Sequence, residues 1–525
     1  MPSSPSQRLA AEVLALLAGS GVEHVFLAPG ARSQSLAIAA AQLAEAKKIE
    51  LHVHLDERSL GFTALGAALA TGEATALITT SGTAVANLHP AVLEAHHSGV
   101  PLLLLTADRP HELRGVGANQ TTEQVGIFGD AVRVCFDVEA PTEESPAIDE
   151  VRFVVAEAIA AAKGLKGGRP GPVQINLAFR EPLSATEPDA ALLTIEPLAI
   201  ELEEPELEFA ILDGEVPTIV VAGAEAGPEA NELAEAFGWP LLAEPSSGAR
   251  FGDNLIQGYR KVIDSHPELV DAIGRIIVFG KPTLSRQVIR LMYRESIEVV
   301  VVRSRTMGKF DVSHRASAFV DEVTVTSEPS GEWLSKWTIA DHQCRLAEPV
   351  SGVLTRREIV EQIWDVTHGA ENLVLGASRM IREAETWAPA KPINIFANRG
   401  LAGIDGTVAT ATGIAMATKQ KTRVLLGDLT LLHDAGSLAI DPAYSALNLQ
   451  LVVVNDRGGS IFESLEMRKT LSDDTFDRVF RTPQSVNIAL LAAAYGWLHV
   501  TVETESQLRD VLESSDGRVL IEVLL

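Results

Sequence analysis

Cysteine is nearly missing from this chain: Cys135 and Cys344 are the only two among 525 residues. That count excludes a disulfide framework and a cysteine-based zinc site. Positive charge is also scarce, with 43 Lys and Arg against 70 Asp and Glu, for a formal net charge of −27. So acidic a chain repels nucleic acid and anionic lipid surfaces, and neither is an expected partner. No uncharged apolar run reaches transmembrane length, so no membrane insertion is expected. The opening stretch MPSSPSQRLAAEVLALLAG lacks the basic region of a signal peptide. Its Leu/Ala/Val pattern over Leu9–Leu17 reads as an amphipathic helix. The expectation is a soluble cytoplasmic protein.

What is present is length and apolar content. At 525 residues and 46% hydrophobic, the chain can fill several cores, and two to four domains are expected. The first third alternates helix and strand patterns. Arg8–Leu17 and Gly61–Ala70 read as helices, and His24–Leu27 and Leu51–His54 as short strands. Ala76–Thr79, Leu102–Thr106 and Val173–Leu177 are continuous apolar runs of the kind buried on both faces of a parallel sheet. The turn GGRPGP reads as domain-closing rather than as a phosphate loop, because it lacks the GxxxxGK[ST] order. Leu183–Glu208, carrying Glu196, Glu201, Glu203, Glu204, Glu206 and Glu208 with Pro197 and Pro205, reads as a solvated linker. Further strands are expected at Thr218–Ala222, Arg275–Phe279, Val299–Val302, Val374, Ile393–Phe396, Val424–Leu426, Leu451–Val454 and Val519–Val523. Trp333–Pro349 reads as a crossover, and Thr355-Arg-Arg-Glu358 as a helix capping box opening the last region. The fold class is α/β.

Chemistry concentrates at strand ends. Gly427-Asp428 and Asn455-Asp456 close two successive apolar strands, with Arg457-Gly458-Gly459 beyond. Strand ends in a parallel sheet open onto one crevice, and oxygen ligands beside glycines suit a hard cation such as Mg²⁺ or Ca²⁺ carrying a diphosphate. The plain alternative is a pair of polar strand ends. Asp56-Glu57-Arg58 follows the strand LHVHL, where a desolvated carboxylate can act as acid or base; the alternative is a surface salt-bridge cluster. Thr79-Thr80-Ser81-Gly82-Thr83 suits an anion or simply caps a helix. Arg32, Arg109, Arg379, Arg382 and Arg399 sit at turns and region starts, and several arginine forks in an acidic chain suggest a substrate with several negative groups. His52, His54, His96 and His97 form no HExxH-type pattern and read as packing or solvated residues.

Together these segments resemble the thiamine diphosphate enzymes, and within them the 2-succinyl-5-enolpyruvyl-6-hydroxy-3-cyclohexene-1-carboxylate synthases of menaquinone biosynthesis. The signatures are LAPGARSQSL (Leu27–Leu36), HLDERSLGFTALG (His54–Gly66), TADRP (Thr106–Pro110), GANQTT (Gly117–Thr122), NRGLAGIDG (Asn398–Gly406), GDLTLLHD (Gly427–Asp434) and NDRGGSIF (Asn455–Phe462). They span most of the first and last regions in the family's order. The chain departs from the superfamily pattern at Leu429, where glycine is usual, and at Asp456, where a second asparagine is usual. Ala31 stands where the family often has serine, which removes one hydroxyl contact.

The resemblance implies a three-domain thiamine diphosphate-binding fold, each domain a parallel sheet flanked by helices: a pyrimidine-binding domain over 1–185, a central domain over 186–345 and a diphosphate-binding domain over 346–525. It implies that Glu57 hydrogen-bonds the aminopyrimidine ring and drives its tautomerism. The implied reaction is decarboxylation of 2-oxoglutarate and conjugate addition of the resulting succinyl carbanion equivalent to isochorismate. The cofactor would be bound by Glu57, Thr80, Ser81, Gln120, Ser378, Gly427, Asp428, Leu429, Gly458, Gly459, Ile461 and Phe462. Asp428 would ligate Mg²⁺, with Mn²⁺ or Ca²⁺ as alternatives. Alignment on GGSIF puts the second side-chain ligand at Asp456 and a carbonyl ligand at Gly458; alignment on the spacing from Asp428 selects Asn455 and Arg457. The first is favoured, because a loop absorbs an inserted residue more readily than the glycine turn does. Arg32, Arg109, Asn119, Gln120, Arg286, Ser378, Arg382 and Arg399 would contact substrate. The resemblance also implies a homodimer or homotetramer, with Glu57 and Asp428 of one site supplied by different subunits. The competing expectations are another thiamine diphosphate carboligase, of the acetolactate synthase kind, and a non-catalytic relative.

Overall fold

The computed structural model describes residues 4–142, 148–184, 198, 200, 206–327, 331–346 and 354–525. Within the linker expected over Leu183–Glu208, Glu196, Glu201, Glu203 and Glu204 lie outside the described residues. Glu208 is no free linker residue: its carboxylate pairs with Arg303 at 2.6 Å.

The described residues form two compact units. One comprises Met1–Pro205, Gly400–Lys419 and Asp434–Leu447; the other comprises Glu206–Arg399, Gln420–His433 and Asn448–Leu525.

The first unit is built on a six-stranded sheet of β1 (His24–Leu27), β2 (Glu50–Val53), β3 (Thr75–Thr79), β4 (Leu102–Asp108), β5 (Cys135–Val138) and β6 (Val173–Ala178). Their order is β2-β1-β3-β4-β6-β5 and every pairing is parallel. β3, β4 and β6 are buried along their whole length, as their unbroken apolar runs require of strands covered by helices on both faces.

The second unit holds the remaining sheets. A two-stranded sheet pairs β7 (Phe209–Leu212) with β13 (Glu322–Val325). A five-stranded sheet takes β8 (Thr218–Ala222), β9 (Leu241–Ala243), β10 (Arg275–Phe279), β11 (Glu298–Val302) and β12 (Ala316–Val320) in the order β12-β11-β10-β8-β9. A second six-stranded sheet takes β14 (Asn372–Leu375), β15 (Asn394–Phe396), β16 (Thr422–Gly427), β17 (Leu449–Asn455), β18 (Leu498–Val502) and β19 (Arg518–Leu524) in the order β15-β14-β16-β17-β19-β18. All of these are parallel too.

Within this unit the five- and six-stranded sheets are joined by a buried arginine. Arg250 donates to the Ala388 carbonyl at 2.8 Å and to the Ala243 carbonyl at 2.7 Å, and Tyr259 donates to Glu385 at 2.5 Å. The expected capping box at Thr355 is formed and opens the helix Arg356–Val366. No helix among the described residues is long and apolar enough to cross a membrane.

Candidate active site

In the first unit, the C-terminal ends of β1, β3 and β4 bring five of the expected residues together. Arg109, just past β4, is buried, and its Nη1 donates to Ser81 Oγ at 2.6 Å and to the Gln120 carbonyl at 2.7 Å. Ser81 Oγ donates to the same carbonyl at 2.9 Å, and Gln120 Nε2 returns a bond to the Ser81 carbonyl at 2.9 Å. Gln120 adopts a left-handed φ of 56° to make this exchange. Thr80 Oγ1 accepts the Arg32 N–H at 3.3 Å, and the Arg32 guanidinium donates to the Phe179 carbonyl at 3.0 Å. Gly30 is required here, because a Cβ would run into the Thr80 side chain. Burial, and then the neighbouring Arg109 charge, lower the proton affinity of Arg32. Two close arginines at strand ends make a seat for an anion. Simple helix capping does not describe Ser81, since the helix Thr83–Asn87 is entered through Gly82 with no side-chain cap. Asn119 is exposed.

Behind this loop lies a polar network that sequence reasoning did not single out. Asp108 accepts the Arg109 N–H at 2.7 Å and a bond from Asn176 Nδ2 at 3.1 Å. Gln124 accepts the Gly82 N–H at 2.9 Å and donates to Asn176 at 3.1 Å. The available signal was Asp108 itself, an acid at the end of an otherwise apolar strand that only paired burial makes tolerable.

Glu57 opens the helix Glu57–Thr71, where Asp56 caps by accepting the N–H groups of Arg58 (2.8 Å) and Ser59 (3.3 Å). Glu57 is half-buried and its Oε2 lies 3.5 Å from Asn87 Nδ2. The helix is fixed along its length by the helix Thr407–Thr418. A Cβ at Gly66 would run into the Thr410 carbonyl, and one at Gly413 into the Thr63 carbonyl, so the two backbones meet directly. Two buried acids secure the segments around that second helix. Asp434 accepts the N–H groups of Val408 (2.8 Å) and Ala409 (3.1 Å) and faces Arg58 at 3.7 Å. Glu94 accepts those of Gly400 (2.6 Å) and Leu401 (2.8 Å). Neither was recognisable in advance, because each acts on backbone far away in sequence.

In the second unit, β16 delivers Asp428 to the start of the helix Asp428–His433, and β17 delivers Asn455 and Asp456. Asp428 is 5% exposed and accepts the N–H groups of Leu429 (2.9 Å) and Gly458. Burial pushes its carboxyl up to about 6, and the facing Asp456 charge adds to the rise. Asp456 accepts from Ser460 Oγ at 2.6 Å and from Arg356 Nη2 at 2.5 Å. Asn455 turns elsewhere: its Nδ2 donates to Glu522 at 2.7 Å and its Oδ1 accepts the Arg457 N–H at 3.2 Å. Gly458 has φ 127° and sits against the Arg481 carbonyl with no room for a Cβ. Two converging carboxylates, with one arginine paired to Asp456, beside a glycine turn, suit a hard divalent cation with phosphate oxygens. Gly427 and Leu429 flank Asp428, and Gly459, Ile461 and Phe462 follow Asp456 in the turn closed by the Gly459 N–H to the Arg481 carbonyl, 2.7 Å.

Ser378 precedes the helix Arg379–Trp387 and makes no capping bond with its hydroxyl. Arg382 on that helix and Arg399 lie close enough that Arg399, after burial, lowers the proton affinity of Arg382. Arg286 stands apart from both in its bonding: its side chain is 68% exposed and pairs with Glu466 at 3.2 Å.

His52, read from the sequence as a packing or solvated residue, is buried in a group whose other members were not singled out. His24, Glu50 and His52, adjacent on β1 and β2, are the one trio of ligand-type side chains among the described residues with ligand atoms all within 4.8 Å. Every member is already engaged: His24 Nδ1 with His52 Nε2 at 3.0 Å, His52 Nδ1 with Tyr444 Oη at 2.6 Å, and Glu50 with Lys419 at 2.7 Å. With the Lys419 ammonium beside it, the trio is a structural network.

Residues 7–127 match the family model of the thiamine pyrophosphate enzyme N-terminal TPP binding domain, and residues 376–523 match that of the C-terminal TPP binding domain. Three similar proteins are each named 2-succinyl-5-enolpyruvyl-6-hydroxy-3-cyclohexene-1-carboxylate synthase. The one from Leifsonia xyli subsp. xyli is 42% identical over 99% of this chain and 97% of its own length. That from Paenarthrobacter aurescens is 43% identical over 97% and 92%, and that from Clavibacter michiganensis subsp. michiganensis 43% over 99% and 96%.

Proposed function

For a chain that belongs to the 2-succinyl-5-enolpyruvyl-6-hydroxy-3-cyclohexene-1-carboxylate synthases, a family of thiamine diphosphate enzymes, we propose the synthase reaction itself. 2-Oxoglutarate loses CO₂, and its succinyl carbanion equivalent adds in conjugate fashion to isochorismate. One observation carries the substrate assignment: two pairs of neighbouring arginines, Arg32 with Arg109 and Arg382 with Arg399. Paired guanidiniums suit substrates with several carboxylates better than they suit pyruvate.

Bound thiamine diphosphate supplies a carbon that takes up the electron pair left by CO₂. Glu57 holds the aminopyrimidine ring and moves a proton to and from it through a carboxyl oxygen. Thr80, Ser81, Gln120, Ser378, Gly427, Leu429, Gly459, Ile461 and Phe462 line the cofactor. Asp428, Asp456 and the Gly458 carbonyl hold Mg²⁺, for which Mn²⁺ or Ca²⁺ can substitute. The facing of Asp456 on Asp428 supports Asp456 over Asn455 as the second side-chain ligand. Asn119 and Arg286, exposed in the free chain, join Arg32, Arg109, Gln120, Ser378, Arg382 and Arg399 at the substrate. The domains divide at 1–185, 186–345 and 346–525. The protein works in the cytoplasm as a homo-oligomer, Glu57 of one subunit serving the cofactor held by Asp428 of another.

Incubation with thiamine diphosphate, Mg²⁺, 2-oxoglutarate and isochorismate tests this reading. Isochorismate should disappear as CO₂ is released. Absence of isochorismate-dependent turnover, or a preference for pyruvate as donor, overturns it.

A further inference from the structure

Glu244 follows β9, is 3% exposed, and has no cation within ion-pair distance among the described residues. A carboxyl group so placed costs free energy unless its hydrogen bonds do something specific. Its Oε1 accepts the Leu284 N–H at 2.7 Å, and the Thr283 N–H also acts on the carboxyl group. The turn it grips carries the arginine pair. Thr283 Oγ1 accepts from Arg399 Nη2 at 2.5 Å, and the Leu284 carbonyl lies 3.5 Å from Arg382 Nη1. The opposite side of the turn is clamped by the end of β8. Ala224 and Lys281 exchange backbone bonds of 3.2 and 2.9 Å, and Gly223 has no room for a Cβ against Pro282. With Glu244 removed, the turn keeps one clamp and the buried Leu284 N–H loses its acceptor.

We propose that Glu244 is a positioning residue for the substrate arginines, its carboxyl group fixing the Thr283–Leu284 turn on which Arg382 and Arg399 rest. This builds on the reading of that pair as a carboxylate seat. Two buried atoms without a partner, Arg399 Nε and Glu244 Oε2, mark the place where the pair is not satisfied by the protein itself. Glu385, Tyr259, Arg382 and Arg399 are the charged or titratable groups that act on Glu244. Burial, and then Glu385, push the Glu244 carboxyl up to about 8. At neutral pH it therefore works as an uncharged acceptor, and the guanidinium charges stay available to a ligand. Glutamine has the same carbonyl acceptor and should serve as well.

Steady-state kinetics on the holoenzyme with thiamine diphosphate and Mg²⁺ provide the test, with cofactor affinity measured separately by calorimetry. Glu244→Ala should raise the KM for 2-oxoglutarate or isochorismate about 10- to 100-fold, as expected for losing a buried acceptor. The accompanying change in kcat should be smaller and cofactor affinity should hold. Glu244→Gln should stay within about twofold of the parent, by the same isosteric argument. Thr283→Val, which removes only the hydroxyl under Arg399, should raise KM in the same direction and covers the case in which Glu244→Ala fails to fold. In the parent, KM should climb as pH passes about 8, where the group ionises, and in Glu244→Gln it should not. Arg399→Ala separates the two layers of the argument. Raised KM in Arg399→Ala with unchanged KM in Glu244→Ala and Thr283→Val overturns the positioning role alone. Unchanged KM in Arg399→Ala overturns the carboxylate seat and the positioning role with it.

Discussion

The first and last sheets repeat one topology with opposite chemistry at their strand ends. Numbered from its own first strand, each six-stranded sheet runs 2-1-3-4-6-5, all parallel. The ends of β1, β3 and β4 carry arginines and hydroxyls, and the end of β2 leads into a glutamate-headed helix. The matching ends of β16 and β17 carry two facing aspartates and a glycine turn. The lesson is that this strand order supplies a crevice of fixed geometry, and the residues at its rim decide whether the crevice attracts anions or cations.

Breaking the acid at each rim gives the largest effects, and they should differ in kind. Glu57→Gln should remove about 10²- to 10⁴-fold of turnover, the usual worth of a positioned acid–base group, while calorimetry finds cofactor binding largely intact. Asp428→Ala should instead weaken Mg²⁺-dependent cofactor binding by more than about 10-fold in a titration at fixed metal. If both variants fail in the same step, the contrast between the rims is wrong. Asn455→Ala should weaken metal binding less than Asp456→Ala, and the reverse ranking would return the second ligand to Asn455.

Stability comes next. Gly66→Ala forces a methyl group into the Thr410 carbonyl and should cost about 2 kcal/mol or more in urea unfolding. Gly427→Ala, at the other rim, meets nothing nearer than the Val454 carbonyl at 4.0 Å and should cost under about 1 kcal/mol. Equal costs would show that the glycines of the first helix pair are not set by contact.

The last effect expected is in pH. Burial holds His52 down at about 3, against an ordinary 6.5. The folded chain binds this proton less readily than the unfolded chain does. Its contribution is therefore complete above 6.5 and drains away as pH falls from 6.5 toward 3. Unfolding midpoints at pH 7.5 and 5 should differ more in the parent than in His52→Gln.

Much of this was legible in the sequence, for a definite reason. Strands buried on both faces must be continuously apolar, so Thr218–Ala222 and Arg275–Phe279 coincide with their expected bounds. The Thr355 capping box is a local signal and was read correctly. The strands that escaped notice, Cys135–Val138, Phe209–Leu212, Leu241–Ala243, Ala316–Val320, Glu322–Val325 and Leu498–Val502, are short or lie at sheet edges, where half-exposure mixes the pattern. At the site, residues within short motifs such as Arg109, Ser81 and Gln120 were found. Asp108, Glu94, Asp434 and Glu244 were not. Each is a buried acid bonded by groups from distant segments, the Asn176 side chain for Asp108 and backbone N–H groups for the other three, and no single window of sequence contains both halves of such a bond.

The contact between Asp456 and Arg356 has a consequence for how this rim could change. Together the two side chains are electrically equivalent to one neutral amide at the position of Asp456. Their charges are therefore coupled as substitutions. Asp456→Asn alone strands a cation at the first turn of the helix Arg356–Val366, and Arg356→Met alone leaves a surplus anion beside Asp428. Only the double exchange returns to neutrality, so a route between this arrangement and the asparagine form passes through one of two unbalanced intermediates.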